Sequence, residues 1–304
     1  MTPSINPNSE VFLANLQQIE NRLSLAGRQL SSGLRVSVAS DDPDMISNIL
    51  QLRARIAGVQ QTQQNLSNVT PQVNSGEEAI QQAIQILDTA TSLATQAAGN
   101  LTTASQKLQE VPQVQGILQQ LVSLSQTAVN GQYIFSGDRG ATPQYGLAPG
   151  GNSVQSLASS GPPGQIEDAN GVKISIGLTA QQIFDDRDAG NNPATDNVFG
   201  AVTGLITALQ NNDNTGILTA MTNLQAASAH LNDQSSFYGA AQNNISSASS
   251  SASQSLVDLQ QQLSTEQDAD VAQTSLNLTQ ASTDLQAAMA SQAMLKPQSL
   301  FTYL

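Results

Sequence analysis

The sequence has no cysteine, no tryptophan and one histidine, and aromatic residues make up only 3% of its 304 positions. Without cysteine there are no disulfides, no thiol nucleophile and no thiolate metal site. Charge is also scarce. Asp, Glu, Lys and Arg together form 11% of the chain, with 10 basic residues against 23 acidic ones and a net charge of −13. Such a surface repels phosphate, so neither nucleic acid nor an anionic membrane is an expected partner. No run approaches the ~18 consecutive apolar residues of a membrane span. The first stretch, "MTPSINPNSEVFLANLQQIE", has no basic segment followed by an apolar core, so a cleaved Sec-type signal is not expected.

What fills the gap is Gln, Ser, Asn, Ala and Thr, alongside 39% apolar residues. That composition suits long helices with apolar seams and neutral polar backs. The length allows one large domain or two to three small ones. Phe12, Leu16, Ile19, Leu23, Ala26 and Leu30 recur at alternating intervals of four and three, a heptad seam that faces one partner. Gly33 is placed to end this helix in the left-handed conformation, and Asp42–Pro43 reads as the start of the next. Ile49, Leu52, Ile56, Val59 and Leu66 form its seam, with Gln63 in one slot. Ser75 and Glu78 have the spacing of a capping box and predict a third start. The stripe Ile80, Ile84, Leu87, Ala94 and Leu101 follows, and Pro112 is expected to break or kink the pattern. Ile117, Leu121, Leu124 and Ala128 precede Gly131.

The character changes at "GQYIFSGDRGATPQYGLAPGGN". Short apolar runs, "YIF" and "VKISIGL", lie between turn signals such as Asn170–Gly171 and read as strands. Helical spacing returns near Asp196. Val198, Val202, Leu205 and Leu209 come first, then Ile217, Met221 and Leu224. Leu231, Tyr238, Ile245, Ala252 and Leu259 then recur every seven residues, through the low-complexity run "SSASSSASQ", which is read as helix. Leu278, Ala281, Leu285, Ala288 and Leu295 mark a last helix before "QSLFTYL". The expected architecture is mainly α: a long antiparallel bundle or coiled coil formed by the N- and C-terminal segments, with a small β-rich insert domain. The expected segments are an N-terminal helix (1–33), a connector (34–43), two core parts (44–131 and 196–265), the insert (132–195) and a C-terminal helix (266–304).

Catalytic chemistry finds little support. His230 sits beside seam residue Leu231 and reads as a helix residue on or near the surface. Three acidic clusters occur at Asp41–Asp42–Asp44, Asp185–Asp186–Asp188 and Asp268–Asp270. The first and third read as helix starts. The second lacks the ligand order and closing glutamate of a calcium loop and reads as a solvated turn. There is no phosphate cradle, no nucleophile elbow and no His/Glu metal pair. Neither catalysis nor a cofactor or metal is expected. An autolysin-like enzyme in the insert is the competing reading from a different class.

Two segments carry a family resemblance. "QLSSGLRVSVASDDPDMISNI" resembles the N-terminal segment of bacterial flagellins and their junction relatives. "EQDADVAQTSLNLTQASTDLQAAMASQAMLKPQSLFTYL" resembles the matching C-terminal segment. "GQYIFSGDRGATPQY" and the ending "SLFTYL" are more similar to the hook–filament junction branch, the L-type hook-associated proteins, than to flagellin itself. Thr89 and Thr91 stand near positions where typical flagellins carry arginines, so the resemblance does not extend to recognition by flagellin-sensing receptors.

The resemblance implies a non-enzymatic structural subunit outside the cell, in a homo-oligomeric ring between the hook-side junction protein and flagellin. It also implies unfolded passage through the flagellar type III export apparatus with an export chaperone. A short flagellin is the alternative within the family. Expected subunit-interface residues are Phe12, Leu16, Ile19, Leu23, Leu30, Arg35, Leu278, Leu285, Leu295, Leu300, Phe301 and Leu304. Residues 1–32 and roughly 270–304 are expected to be poorly ordered in an isolated subunit, for want of something to bury against.

Overall fold

The computed structural model describes residues 7–99 and 102–294. Helices dominate: α1 (Pro7–Ser32), α2 (Pro43–Ala97), α3 (Ala104–Ser125), α4 (Ala180–Phe184), α5 (Val198–Gln210), α6 (Asn214–Gln267) and α7 (Val271–Met294). Between α3 and α4 lie six short strands, β1 (Ala128–Val129), β2 (Gln132–Tyr133), β3 (Tyr145–Leu147), β4 (Val154–Ser156), β5 (Gln165–Glu167) and β6 (Lys173–Ser175). They form three separate two-stranded antiparallel pairs, β1–β2, β3–β4 and β5–β6. The expected mainly α fold with a small β region is therefore present. The chain divides into two compact units, one from Met1–Gly58 with Ser255–Leu304 and the other Val59–Gln254.

Local chemistry sets several of the helix ends. Gly33 ends α1 at a φ of +72°, a region open to glycine at little steric cost, and its N–H donates to the Gln29 carbonyl at 2.9 Å. Asp42 caps α2 by accepting from the Met45 N–H at 3.3 Å. Asp270 caps α7 by accepting from the Gln273 N–H at 3.0 Å. All three follow from residues adjacent to the boundary they define.

One expected boundary is absent, and a second residue able to break a helix lies inside one. Ser75 and Glu78 do not start a helix, because α2 runs unbroken from Pro43 to Ala97. Val73, Ala79, Ile80 and Ala83 flank that stretch and are all buried in the core. Packing along the buried face outweighs a local capping pattern. Pro112 likewise stays inside α3. The chain turns earlier, near Gly99, and Thr103 with Gln106 forms the capping box that opens α3. The stripe residue Leu101 lies outside the described residues.

The core of the Val59–Gln254 unit joins both classes of structure. The expected strand "YIF" stops at Tyr133, and Phe135 turns inward instead. Its ring meets Phe184 edge-on, with centroids 5.8 Å apart, and meets Tyr238 edge-on at 6.5 Å. Phe184 stacks on Phe199 at 5.6 Å. Edge-on and stacked pairs of this kind add to simple area burial. The hairpin region thus shares a core with α2, α3, α5 and α6 rather than enclosing one of its own. On α6 the sevenfold series is buried throughout: Leu231, Tyr238, Ile245, Ala252 and Leu259. The serine- and alanine-rich run is helical as expected.

Within this unit α2 and α6 run antiparallel. Gln63, the polar residue in the α2 seam, donates to the Ser253 hydroxyl at 3.0 Å, while Gln242 donates to Asn74 at 3.1 Å and to Glu77 at 2.5 Å. Tyr238 of α6 lies against Gly76 of α2, where an added Cβ would collide with the Tyr238 ring. The ring cannot swing away freely, because it is fully buried and its hydroxyl accepts from the Leu178 N–H at 3.2 Å. Gly76→Ala should therefore destabilise this unit by about 1–3 kcal/mol through overpacking, although alanine is the better helix former. Denaturant unfolding of the two proteins measures the difference.

Candidate assembly surface

In the unit containing both termini, α1 and α7 pack along their lengths. Their direction is antiparallel: Leu34 pairs with Asp268 at one end, and Arg22 meets the Asp284 carboxylate at 3.8 Å further along. Ile19 and Ala26 of α1 and Thr274 and Ala281 of α7 are buried. Phe12, Leu16 and Leu23 are half-buried, as are Leu278 and Leu285. Each seam covers the other within a single chain.

The connector is tied down at both ends. The Gln267 carbonyl accepts from the Arg35 N–H at 2.7 Å, and the Ala269 N–H donates to the Gly33 carbonyl at 2.8 Å. The Arg35 guanidinium donates to the Glu266 carbonyl at 2.6 Å and to the Asp42 carboxylate at 2.9 Å. Within the chain, Arg35, an expected interface residue, clamps the helix start at Asp42 to the end of α6. Asp41 closes the turn between, accepting from the Ser37 N–H, the Ser37 hydroxyl and the Val38 N–H, each at 3.0 Å.

These bonds explain the acidity of the connector carboxylates. The Val38 and Ser37 amides hold Asp41 below its ordinary value of 3.8, and the Arg35 hydrogen bond does the same for Asp42. Asp42 is the expected helix cap and Asp41 closes a turn, and the oxygens of both are occupied. The acidic turn near residue 185 divides its labour. Asp185 is buried and accepts from the Tyr145 hydroxyl at 2.8 Å, Asn197 at 2.7 Å and Arg187 at 2.9 Å. Asp188 closes an exposed loop through the Gly190 and Asn192 N–H groups, each at 2.9 Å.

The outer sides of the terminal unit remain apolar. Large exposed hydrophobic residues there include Val11, Leu13, Leu25, Leu30, Val38 and Leu50, and further along Val257, Val271, Leu276 and Met289. The larger Val59–Gln254 unit exposes only Leu108, Leu157, Val172 and Leu218 among its described residues. Leu276 is 65% and Val11 61% exposed. A concentration of this kind marks a surface that meets another protein.

Residues 4–139 match the family model for the bacterial flagellin N-terminal helical region. The N-terminal part of this chain is similar to that region. Flagellin B of Helicobacter pylori is 29% identical over 140 residues, which cover 45% of this chain and 27% of the relative's length. The chain thus matches little more than a quarter of the length of that curated relative. Solved structures share the fold more widely. A Vibrio parahaemolyticus protein provisionally assigned as flagellar hook-associated matches with a TM-score of 0.64 at 17% identity, covering 74% of this chain and 99% of that one. The flagellar junction protein FlgL of Legionella pneumophila matches with a TM-score of 0.54 at 13% identity, covering 66% and 99%.

The matched segment contains α1, the connector, α2 and α3. Of the expected interface residues within it, Leu30 is 37% exposed, and Phe12, Leu16, Ile19 and Leu23 face α7 to differing degrees. Leu295, Leu300, Phe301 and Leu304 lie outside the described residues. Sequence reading missed Val11, Leu13, Leu25, Leu276 and Met289, because it followed only the seam. The available signal was apolar residues standing off the seam on an otherwise polar helix.

Two tests follow from the connector. Because the folded-state acidities of Asp41 and Asp42 are enhanced, their stabilisation is present above the ordinary carboxylate value of 3.8 and is lost as pH falls below it. Amide exchange at Ser37, Val38 and Met45, corrected for the intrinsic pH dependence, should rise below that point. Arg35→Ala should raise exchange across residues 33–42 at neutral pH and leave that of α5 unchanged.

Proposed function

We propose that this protein is a structural, non-enzymatic subunit of the bacterial flagellum that joins hook to filament. The observation that carries the reading is the apolar surface of the terminal unit. A helix pair that has already covered its own seam still exposes Leu276, Met289, Val11 and Leu13. That surface calls for neighbours, and laterally repeated copies of one chain supply them in a closed ring. The flagellin helical region and the fold shared with hook-associated and junction structures support the same placement.

In this reading the terminal segments, 1–33 and 266–304, form the polymer-facing layer, with the connector 34–43 leading from it. Phe12, Leu16, Ile19, Leu23, Leu30, Leu278, Leu285, Leu295, Leu300, Phe301 and Leu304 shape that layer. Arg35 contributes by fixing the connector rather than by reaching outward. The partners are copies of this chain, the hook-side junction protein and flagellin, after export by the type III apparatus with a chaperone. The location is extracellular. Among the described residues no helix is long and apolar enough to cross a membrane.

A short flagellin is the second reading, favoured by the match to the flagellin N-terminal region. Electron microscopy of purified protein separates the two. A junction subunit should give short caps or rings, whereas a flagellin should elongate into filaments. In cells, deletion should release unattached flagellin into the medium, and attached filaments in the deletion strain would overturn the junction role. Leu276→Asp tests the surface directly. An exposed substitution should change subunit stability by no more than about 0.5 kcal/mol, yet it should abolish assembly. Leu285→Asp, in the helix seam, should impair assembly while leaving thermal unfolding of the Val59–Gln254 unit unchanged.

A further inference from the structure

The sole histidine of the chain is not a bystander on its helix. His230 lies on α6, with its side chain only 12% exposed. Its Nε2 stands 2.9 Å from the Gln182 carbonyl oxygen. A carbonyl can only accept, so Nε2 carries the proton and Nδ1 is left to face the other way. On that side is the Asp196 carboxylate, with Asp186 close by. The three groups each offer a ligand atom, and all these atoms lie within 4.8 Å of one another.

The surroundings give these carboxylates no other partner. Apart from the imidazole, no hydrogen-bond donor among the described residues reaches the Asp186 or Asp196 side chain. The nearby cation Arg187 is committed to Asp185, with its Nη2 2.8 Å from the carboxylate and its Nη1 donating to the Asn191 carbonyl. The loop is also held in place. The Asp186 carbonyl accepts from Asn197 at 2.8 Å and from the Ala194 N–H at 3.0 Å, bringing the two ends of the 186–196 segment together. Asn197 then caps α5 immediately after Asp196.

The separation is compatible with a shared ion. His230 Nδ1 and Asp196 Oδ2 are 3.5 Å apart. A charge-assisted N–H to carboxylate bond closes to about 2.7–2.9 Å. Two ligands bound to one tetrahedral ion at ~2.0–2.1 Å stand about 3.4 Å from each other. The backbone carbonyl on Nε2 is the usual outer partner of a metal-binding histidine, because it fixes the tautomer and aims the free nitrogen. One imidazole and two carboxylates form a ligand set suited to a borderline divalent metal, with a fourth position left for water.

We propose that Asp186, Asp196 and His230 bind a divalent transition-metal ion of the zinc class. The ion would fasten the loop between α4 and α5 to the middle of α6, and it would replace mutual repulsion of two carboxylates with a shared bond. The role is structural. It is independent of the flagellar reading, since it concerns a single unit of the fold.

The test uses the full chain, stripped with chelator and titrated with Zn²⁺ by calorimetry. One equivalent should bind, and thermal unfolding should shift upward. His230→Gln, Asp186→Asn and Asp196→Asn should each weaken binding by about tenfold or more. Asp188→Asn, in the same loop but outside the cluster, should leave it unchanged. Because the chain has one histidine, a measurement on the unaltered protein guards against misfolded variants: Zn²⁺ should block diethylpyrocarbonate modification of His230, read by mass spectrometry. Failure to bind, full modification in the presence of Zn²⁺, or binding that survives His230→Gln in a folded protein would overturn the site.

Discussion

The fold depends on the two halves of the chain finding each other in antiparallel register. A helix of 54 residues such as α6 exposes far more apolar surface than nearby sequence can cover, and most helical stability in proteins comes from packing rather than from propensity. The partner must then come from the opposite end of the chain. It does so in both units. α1 packs on α7 in the terminal unit, and in the larger unit α2 meets α6 through Gly76 and Tyr238 and through Gln63 and Ser253. The loops, hairpins and caps are arranged around this requirement. The Arg35 clamp is one of its consequences, since residues 231 positions apart meet there.

How far this could be read from the sequence follows from the range of each interaction. Gly33, Asp42 and Asp270 act on boundaries beside them, so residue chemistry was sufficient. The sevenfold series from Leu231 to Leu259 was legible because one side of a helix repeats whatever its partner is. Ser75 and Pro112 misled for the complementary reason. Each is a sound local signal, but buried neighbours such as Ile80 and Val114 hold the helix through it. Phe135 showed a strand pattern and instead entered the aromatic core, because its partners Phe184 and Tyr238 are brought close only by the tertiary fold. The same limit hid His230. The acidic residue near it in sequence is Asp233, whereas its two acidic neighbours in space arrive from the loop between α4 and α5.

The uneven distribution of exposed apolar residues shows a tension between subunit stability and assembly. The unit Val59–Gln254 closes over a continuous core and presents mostly polar residues. The terminal unit has less to close over, because α1, α7, the connector and the adjoining ends of α2 and α6 make a smaller body. Its neutral polar residues carry little charge pattern to select a partner. Shape and apolar contact must therefore do so, and this suits identical copies better than diverse partners.

A fixed connector makes that arrangement workable. If residues 33–42 were loose, the terminal helix pair could take many orientations, and ordering it during assembly would oppose association. Asp41, Asp42 and Arg35 remove much of that freedom before any neighbour arrives. They do so with hydrogen bonds to backbone groups that would otherwise need water. The outward apolar residues are thus presented on a preorganised surface. Arg35, expected at a subunit interface, is also bonded within its own chain, to Asp42 and to the Glu266 carbonyl.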